Sequence, residues 1–181
     1  MSWEYLLDNQ LDFRVAAAIP YIYPLYRETH VFDLNCGHAP LLKYLPKLVQ
    51  YAGNDILKER LPKNNKTSTF HAMTDEEVAN DAHSRIDVLC CFGIGGYELT
   101  KESQESPTVT DSLIKIMDSK KPKLVVLEAI EEFESILERI KEKTNYLTVQ
   151  KIYMQAEKPE MLSRISKRLL WILRPQAIDI G

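Results

Sequence analysis

The stretch that decides the fold is VFDLNCGHAP, residues 31–40, together with YAGNDI at residues 51–56. A short apolar run ends in Asp33 and then turns through a loop of small residues into a segment predicted to be helical. A second short run ends in Asp55, 22 positions after Asp33. This layout can hold a ligand that has an amine at one end and a ribose at the other, with one acid for each.

The composition bounds the class of protein. A chain of 181 residues, 45% of them hydrophobic, is expected to form one globular domain with a full core. The formal net charge of −3 provides no field that would attract phosphate backbones, so a nucleic-acid partner is not expected. No apolar run approaches the ~20 residues that span a bilayer, and the first residues lack the features of a signal peptide. The three cysteines, which include Cys90 and Cys91 in an apolar run, are expected to be thiols in a reducing cytoplasm.

Strand-like and helix-like segments alternate along the chain, which is typical of an α/β layered fold. The predicted strands are 31–34, 51–55, 67–73, 86–92, 124–127, 146–154 and 168–173. Five helical segments are predicted. The first is 11–26 with an irregular end, and the second is a short one from Pro40 that buries Leu41, Leu42, Leu45 and Leu48. The others are 75–82, capped by Thr74, a segment capped by Thr110 or Asp111, and a segment with Phe133, Ile136, Leu137 and Ile140 on a single stripe. Periodicity indicates a parallel-sheet α/β domain and leaves the strand order open.

The loop between the first strand and the first helix resembles the cofactor loop of the class I S-adenosylmethionine-dependent methyltransferases. In that family an acid is followed by glycines at the second, fourth and sixth positions, and here those positions are Asn35, Gly37 and Ala39. The acid precedes the loop glycine, whereas a nicotinamide-binding fingerprint has its glycines directly after the strand. An ordinary strand–turn–helix crossover, in which Asp33 makes a turn bond, is the alternative interpretation.

The resemblance covers roughly residues 29–175 and implies a fold. That fold is a single-domain, doubly wound α/β domain with helices on both faces of a mostly parallel seven-stranded sheet, whose last strand is antiparallel. The domain would occupy residues 29–181, preceded by an N-terminal helical lead-in at residues 1–28.

The resemblance also implies that S-adenosylmethionine is the cofactor. Asp33 would recognise its amine, and Gly37 would let the backbone pass close beneath the methionine moiety, so we expect Gly37 either to have a positive φ or to contact the ligand. Asn35 can keep a left-handed conformation because its side chain bonds locally. The predicted cofactor-binding residues are Asp33, Asn35, Gly37, Asp55, Ile56, Asp75, Phe92 and Gly93.

Two acids and one apolar residue would contact the nucleoside part of that cofactor. Asp55 can accept hydrogen bonds from both ribose hydroxyls, and Ile56 would lie against one face of the adenine. Asp75 follows the third strand, where the family often has an acid near the adenine amine. An ordinary acidic helix start, favoured by the helix dipole, is the alternative for Asp75.

The segment GIGGYE, residues 93–98, follows the fourth strand, where open α/β folds bind ligands. Tyr97 and Glu98 are predicted to be catalytic, either by orienting the acceptor or by taking its proton. The alternative is a flexible surface turn. The Asn-Pro-Pro-aromatic motif of family members that methylate base amines or glutamine is absent. No histidine or cysteine pairing specifies a metal site.

The sequence therefore favours a methyltransferase that acts on a small molecule, because the chain has almost no added domain or long insertion for a polymeric substrate. A partner subunit could complete the site. A catalytically inactive, methyltransferase-like scaffold or partner subunit is one alternative, since two of three loop glycines are missing. Another Rossmann-like nucleotide-binding enzyme is the second alternative, and the missing Gly-x-Gly-x-x-Gly argues against it.

Overall fold

Seven strands form one sheet in the computed structural model, which describes residues 14–81, 84–94, 107–155 and 167–177. The strands are β1 His30–Leu34, β2 Gln50–Asn54, β3 Ser68–His71, β4 Val88–Ile94, β5 Leu124–Ile130, β6 Tyr146–Gln155 and β7 Lys167–Pro175. Their order across the sheet is β3-β2-β1-β4-β5-β7-β6. β7 is antiparallel to both β5 and β6, whereas the pairs from β3 to β5 are parallel. The predicted seven-stranded, mostly parallel sheet with an antiparallel last strand is confirmed.

The order of the strands reverses at β1, which has β2 on one side and β4 on the other. Ligands of open α/β sheets bind outside the carboxyl ends of the strands at such a switch point. The carboxyl ends of β1, β2 and β4 therefore lie side by side at the edge of the sheet where the sequence places its candidate site.

Helices cover both faces of this sheet. They are α1 over 14–22, α2 Asp75–Asn80, α3 Pro107–Lys120 and α4 Glu134–Glu142, with short 3-10 helices at Pro40–Tyr44, Lys58–Arg60 and Glu131–Phe133. One buried cluster contains Val78 of α2, Leu113 of α3 and Leu137 of α4. A second cluster, on the opposite face, contains Val15 and Ala18 of α1. Each face is thus a packed apolar layer, as expected for a doubly wound domain.

Two local predictions about the helices are wrong. The short helix predicted from Pro40 is present as a 3-10 helix that ends at Tyr44, but Leu48, which was predicted to lie on its buried side, is 56% exposed. Pro46 cannot continue a helix because it has no N–H to donate. Thr110 and Asp111 lie inside α3 and do not cap it, since the helix already begins at Pro107, a residue type suited to a first turn.

Thr74 does cap α2, as predicted. Its hydroxyl accepts a hydrogen bond of 3.1 Å from the Glu77 N–H, and Glu77 Oε2 accepts one of 2.8 Å from the Thr74 N–H. This capping box fixes the start of α2 directly after β3. Within the described ranges, no helix is long and apolar enough to cross a bilayer.

Candidate functional site

The loop after β1 has a left-handed backbone at three alternate positions. The φ angles are +58° at Asn35, +54° at Gly37 and +56° at Ala39. These are the three positions at which the resembling methyltransferase family has its glycines. The positive φ predicted for Gly37 is confirmed. Left-handed backbone costs an L-residue roughly 1–2 kcal/mol, so Asn35 and Ala39 keep a glycine-type loop at an energetic cost.

Hydrogen bonds to Asn35 hold the first of these positions. Its N–H donates to Asn54 Oδ1 at 3.0 Å, and its side-chain amide donates to Asp75 Oδ2 at 2.8 Å. Asn54 Nδ2 donates to Asp75 Oδ1 at 3.1 Å. Asn35, Asn54 and Asp75, which we call the amide brace, tie together the ends of β1 and β2 and the first residue of α2.

The sequence pointed to two members of the amide brace and missed Asn54, which is fully buried at the end of β2. Asp75 is 9% exposed, and each of its carboxylate oxygens already accepts an amide hydrogen. The use of Asp75 near an adenine amine stays a prediction. In this structure its carboxylate holds the cofactor-like loop in place.

The loop also presses directly against β2. An added Cβ on Gly53 would lie 2.6 Å from Cys36 Sγ and 3.2 Å from the Asp33 carbonyl oxygen. The Cys36 N–H donates to the Asn54 carbonyl at 2.8 Å. Gly53 is therefore required for this close approach, a role that sequence reasoning missed although the glycine stands out inside a strand.

Asp55 faces the loop from the end of β2. Its Oδ1 accepts a hydrogen bond of 2.8 Å from the Leu57 N–H, which makes a local turn. Its Oδ2 lies 4.0 Å from the point where a Cβ on Gly37 would be. The structure thus brings Asp55 and Gly37 together, as a ribose and methionine site requires. Ile56, the next residue, is 66% exposed at the same edge.

Asp33 is a buried acid beneath the loop, 2% exposed. Tyr51 Oη donates a hydrogen bond of 2.7 Å to its Oδ2. Burial raises the pKa of Asp33 to about 7, an increase that the hydrogen bond from Tyr51 partly offsets. The same burial raises the pKa of Tyr51 and of the Cys36 thiol. A cation near Asp33 would favour its charged form, so amine recognition by this carboxyl group stays a prediction.

The end of β4 contributes Phe92, which is buried, and Gly93, whose φ is +83°. The Gly93 N–H donates to Glu128 Oε2 at 2.6 Å, and Arg14 Nη1 lies 2.6 Å from the same oxygen. Glu128 is fully buried in β5 and was not predicted to be a site residue. An acid inside the apolar run LVVLEAI is the sequence signal that could have found it.

The two predicted catalytic residues, Tyr97 and Glu98, lie outside the described residues. Of the predicted cofactor residues, the structure gathers Asn35, Gly37, Asp55 and Asp75 around the ends of β1 and β2. In the described parts of the chain, no group of three or more His, Cys, Asp or Glu residues could hold a metal ion.

Comparison with known proteins identifies the fold. No protein-family model matches the chain, and no curated protein matches it in sequence. Among solved structures, N-methyltransferase NodS from Bradyrhizobium japonicum WM9 is similar with a TM-score of 0.68 and 9% identity, over 94% of this chain and 97% of that chain. A structure of NodS in complex with S-adenosyl-L-homocysteine is also similar.

Two further structures are similar over most of this chain. Magnesium protoporphyrin IX methyltransferase (ChlM) from Synechocystis PCC 6803 with bound SAM has a TM-score of 0.66 and 11% identity, over 93% of this chain and 79% of that chain. The small RNA methyltransferase HEN1 has a TM-score of 0.58 and 16% identity, over 93% of this chain and 25% of that chain. The chain therefore has the fold of the class I S-adenosylmethionine-dependent methyltransferases.

Proposed function

We propose that this protein is an S-adenosylmethionine-dependent methyltransferase whose acceptor is a small molecule. One observation carries the proposal: all three positions of the glycine pattern keep a left-handed backbone, although only Gly37 is a glycine. An ordinary strand–turn–helix crossover has no need of three such residues. Retaining them at an energetic cost in Asn35 and Ala39 argues for a loop shaped to pass beneath a ligand.

The residues at the switch point fit this cofactor. Asp55 turns one carboxylate oxygen toward Gly37, where it can accept hydrogen bonds from ribose hydroxyls. The absence of a Cβ on Gly37 leaves room beside that carboxylate for the sugar and the methionine chain. The exposed side chain of Ile56 offers an apolar surface for one face of the adenine. When bound, the cofactor supplies a sulfonium methyl group for direct transfer to a nucleophile, and the protein chiefly aligns the two.

Charge and size favour a small acceptor. The net charge of −3 does not attract a nucleic acid, and the long insertions that could hold a polymer are missing from the sequence. Proteins of this fold differ in their acceptors: one similar structure is named for magnesium protoporphyrin IX and another for small RNA. Tyr97 and Glu98 stay the predicted catalytic pair.

Calorimetry with S-adenosylhomocysteine tests the cofactor site. The Asp55→Ala variant should bind S-adenosylhomocysteine about 10–150-fold more weakly than the wild type, since hydrogen bonds to a charged group contribute roughly 1.5–3 kcal/mol. Asp111→Ala is the matched control, because Asp111 is an exposed aspartate on α3. It should bind like the wild type.

Two results would contradict this proposal. Failure of the wild type to bind S-adenosylhomocysteine at millimolar concentration would favour the inactive scaffold, to which the two missing loop glycines point. Equal affinity of a folded Asp55→Ala variant and the wild type would remove Asp55 from the site.

A further inference from the structure

Three charged side chains lie buried together on the sheet face that α1 covers. Arg14 of α1, Glu128 of β5 and Arg168 of β7 are 2%, 0% and 2% exposed. We call them the buried triad. Glu128 Oε2 lies 2.6 Å from Arg14 Nη1 and accepts the Gly93 N–H at 2.6 Å. The carboxylate of Glu128 thus lies between the two guanidinium groups of Arg14 and Arg168.

Arg168 is the member whose hydrogen bonds are missing. Its Nη1 lies 3.5 Å from Glu128 Oε1, but the structure gives no hydrogen-bond partner to Nε, Nη1 or Nη2 of Arg168 or to that oxygen of Glu128. An unsatisfied buried charged donor opposes folding, and such a group is often replaceable by an apolar side chain without loss of stability. Burial lowers the pKa of Arg168 to about 10, which leaves the side chain protonated at neutral pH. The stability of the fold therefore does not explain why position 168 holds an arginine and not an apolar residue.

The position of the buried triad in the sheet gives a functional reason for an arginine at position 168. Arg168 pairs with Ile130, the last residue of β5, so it lies at the carboxyl edge of the parallel strands. The Gly93 N–H joins Glu128 to the end of β4, next to the β1 loop. This is the part of the sheet where the proposed methyl transfer would take place. The guanidinium of Arg168 is thus held near the strand ends at which the acceptor of the proposed reaction would bind.

We propose that Arg168 binds an oxyanion of the methyl acceptor, either a carboxylate or a phosphate. The inference rests on the proposed function, which supplies the acceptor. A guanidinium donates two parallel hydrogen bonds to such a group, which would satisfy donors of Arg168 that have no hydrogen-bond partner among the described residues. Because Arg168 is only 2% exposed, the oxyanion is a terminal group of a small molecule and not the backbone phosphate of a polymer.

Thermal unfolding of the full chain tests this without knowledge of the acceptor. Sodium phosphate and sodium acetate are each compared with sodium chloride at equal ionic strength, in the absence of cofactor. One of the two anions should raise the Tm of the wild type by at least about 2 °C more than chloride at saturating concentration. A larger effect of phosphate or of acetate tells the two oxyanions apart.

Variants of two arginines on β7 show whether the effect of the anion on the Tm depends on Arg168. Arg168→Met should abolish the anion effect while it leaves S-adenosylhomocysteine affinity unchanged. Arg174→Met is the matched control, since Arg174 is an exposed arginine of β7, and it should respond like the wild type. Arg168→Lys keeps the positive charge but lacks the planar guanidinium group, so the anion should raise its Tm less than that of the wild type. This variant tests the proposal if Arg168→Met does not fold.

The proposal is overturned if the wild type responds to both anions as it does to chloride. It is also overturned if Arg168→Met responds like the wild type or, where that variant is unfolded, if Arg168→Lys does. Calorimetry with S-adenosylhomocysteine on the wild type is the separate test of the proposed function. Anion stabilisation that depends on Arg168, without cofactor binding, would refute the methyltransferase and leave an oxyanion site.

Discussion

Ala39 holds a backbone conformation that costs an L-amino acid free energy. Its φ of +56° lies in the left-handed region, and its methyl group cannot make the hydrogen bonds with which Asn35 secures the same conformation. The resemblance aligns this position with a family glycine, and the Cβ of an alanine restricts the dihedral angles that are available there. The structure shows that the restriction is overcome, since the loop keeps the left-handed backbone at Ala39.

Ala39→Gly should therefore stabilise the protein. Relief of left-handed strain outweighs the added entropy of the unfolded chain, so we expect the free energy of unfolding to rise by about 0.5–1 kcal/mol. Urea denaturation measures it. Ala16→Gly in α1 is the control with the opposite sign: Ala16 is exposed and helical, and its replacement should lower the free energy of unfolding by up to about 1 kcal/mol. Destabilisation by Ala39→Gly would contradict the strained loop.

At the scale of elements, strands were easier to predict than helix boundaries. Continuous apolar runs predicted β4 and β5, because strands covered on both faces need no polar alternation. The prediction for β5 stopped at Leu127, whereas the strand runs to Ile130. The interruption is Glu128, whose charge is neutralised by Arg14, 114 positions away. A contact at that separation leaves no local pattern in the sequence. The predicted strand therefore ended directly before Glu128, the buried acid.

The packing of the loop on β2 gives a prediction at this scale. Gly53→Ala should lower the free energy of unfolding by roughly 1–3 kcal/mol, because the new methyl group would overlap Cys36 Sγ at 2.6 Å. Cys36→Ala removes that sulfur, so the double variant should lose less stability than the sum of the two single variants. Chemical denaturation of all four proteins gives the coupling. Strict additivity would show that the sulfur of Cys36 is not the atom that excludes a side chain from position 53, since the Cys36 Cβ, 2.9 Å from the same point, remains in Cys36→Ala.

For the whole molecule, the fold was predictable and the site only in part. Strand count and the resemblance of the β1 loop led to the observed sheet, and Gly37 and Asp55, which the structure brings together, were both among the predicted cofactor-binding residues. The amide brace and the buried triad were not predicted. Their members come from elements far apart in sequence, and a single Asn or Arg in a strand carries no sign of its partner.

The buried carboxyl group of Asp33 makes the stability of the whole domain depend on pH. Its pKa is raised to about 7 from 3.8, so between these values the folded protein binds a proton that the unfolded chain releases. The stabilisation is complete below the lower value and is lost as the pH rises toward 7. We expect Asp33 to make the free energy of unfolding fall by up to about 1.4 kcal/mol for each pH unit in this window.

Asp33→Asn isolates that contribution, since the amide oxygen can still accept the hydrogen bond from Tyr51 but does not titrate. The difference in the free energy of unfolding between variant and wild type, measured in urea from pH 4.5 to 8, should grow in favour of the variant as the pH rises and level off above about 7. Tyr51→Phe removes the one hydrogen bond that lowers the pKa of Asp33, so its decline in stability should extend to higher pH than in the wild type. A difference that does not change between pH 4.5 and 7 would show that Asp33 is ionised throughout, and its burial beneath the loop would then need a cationic partner.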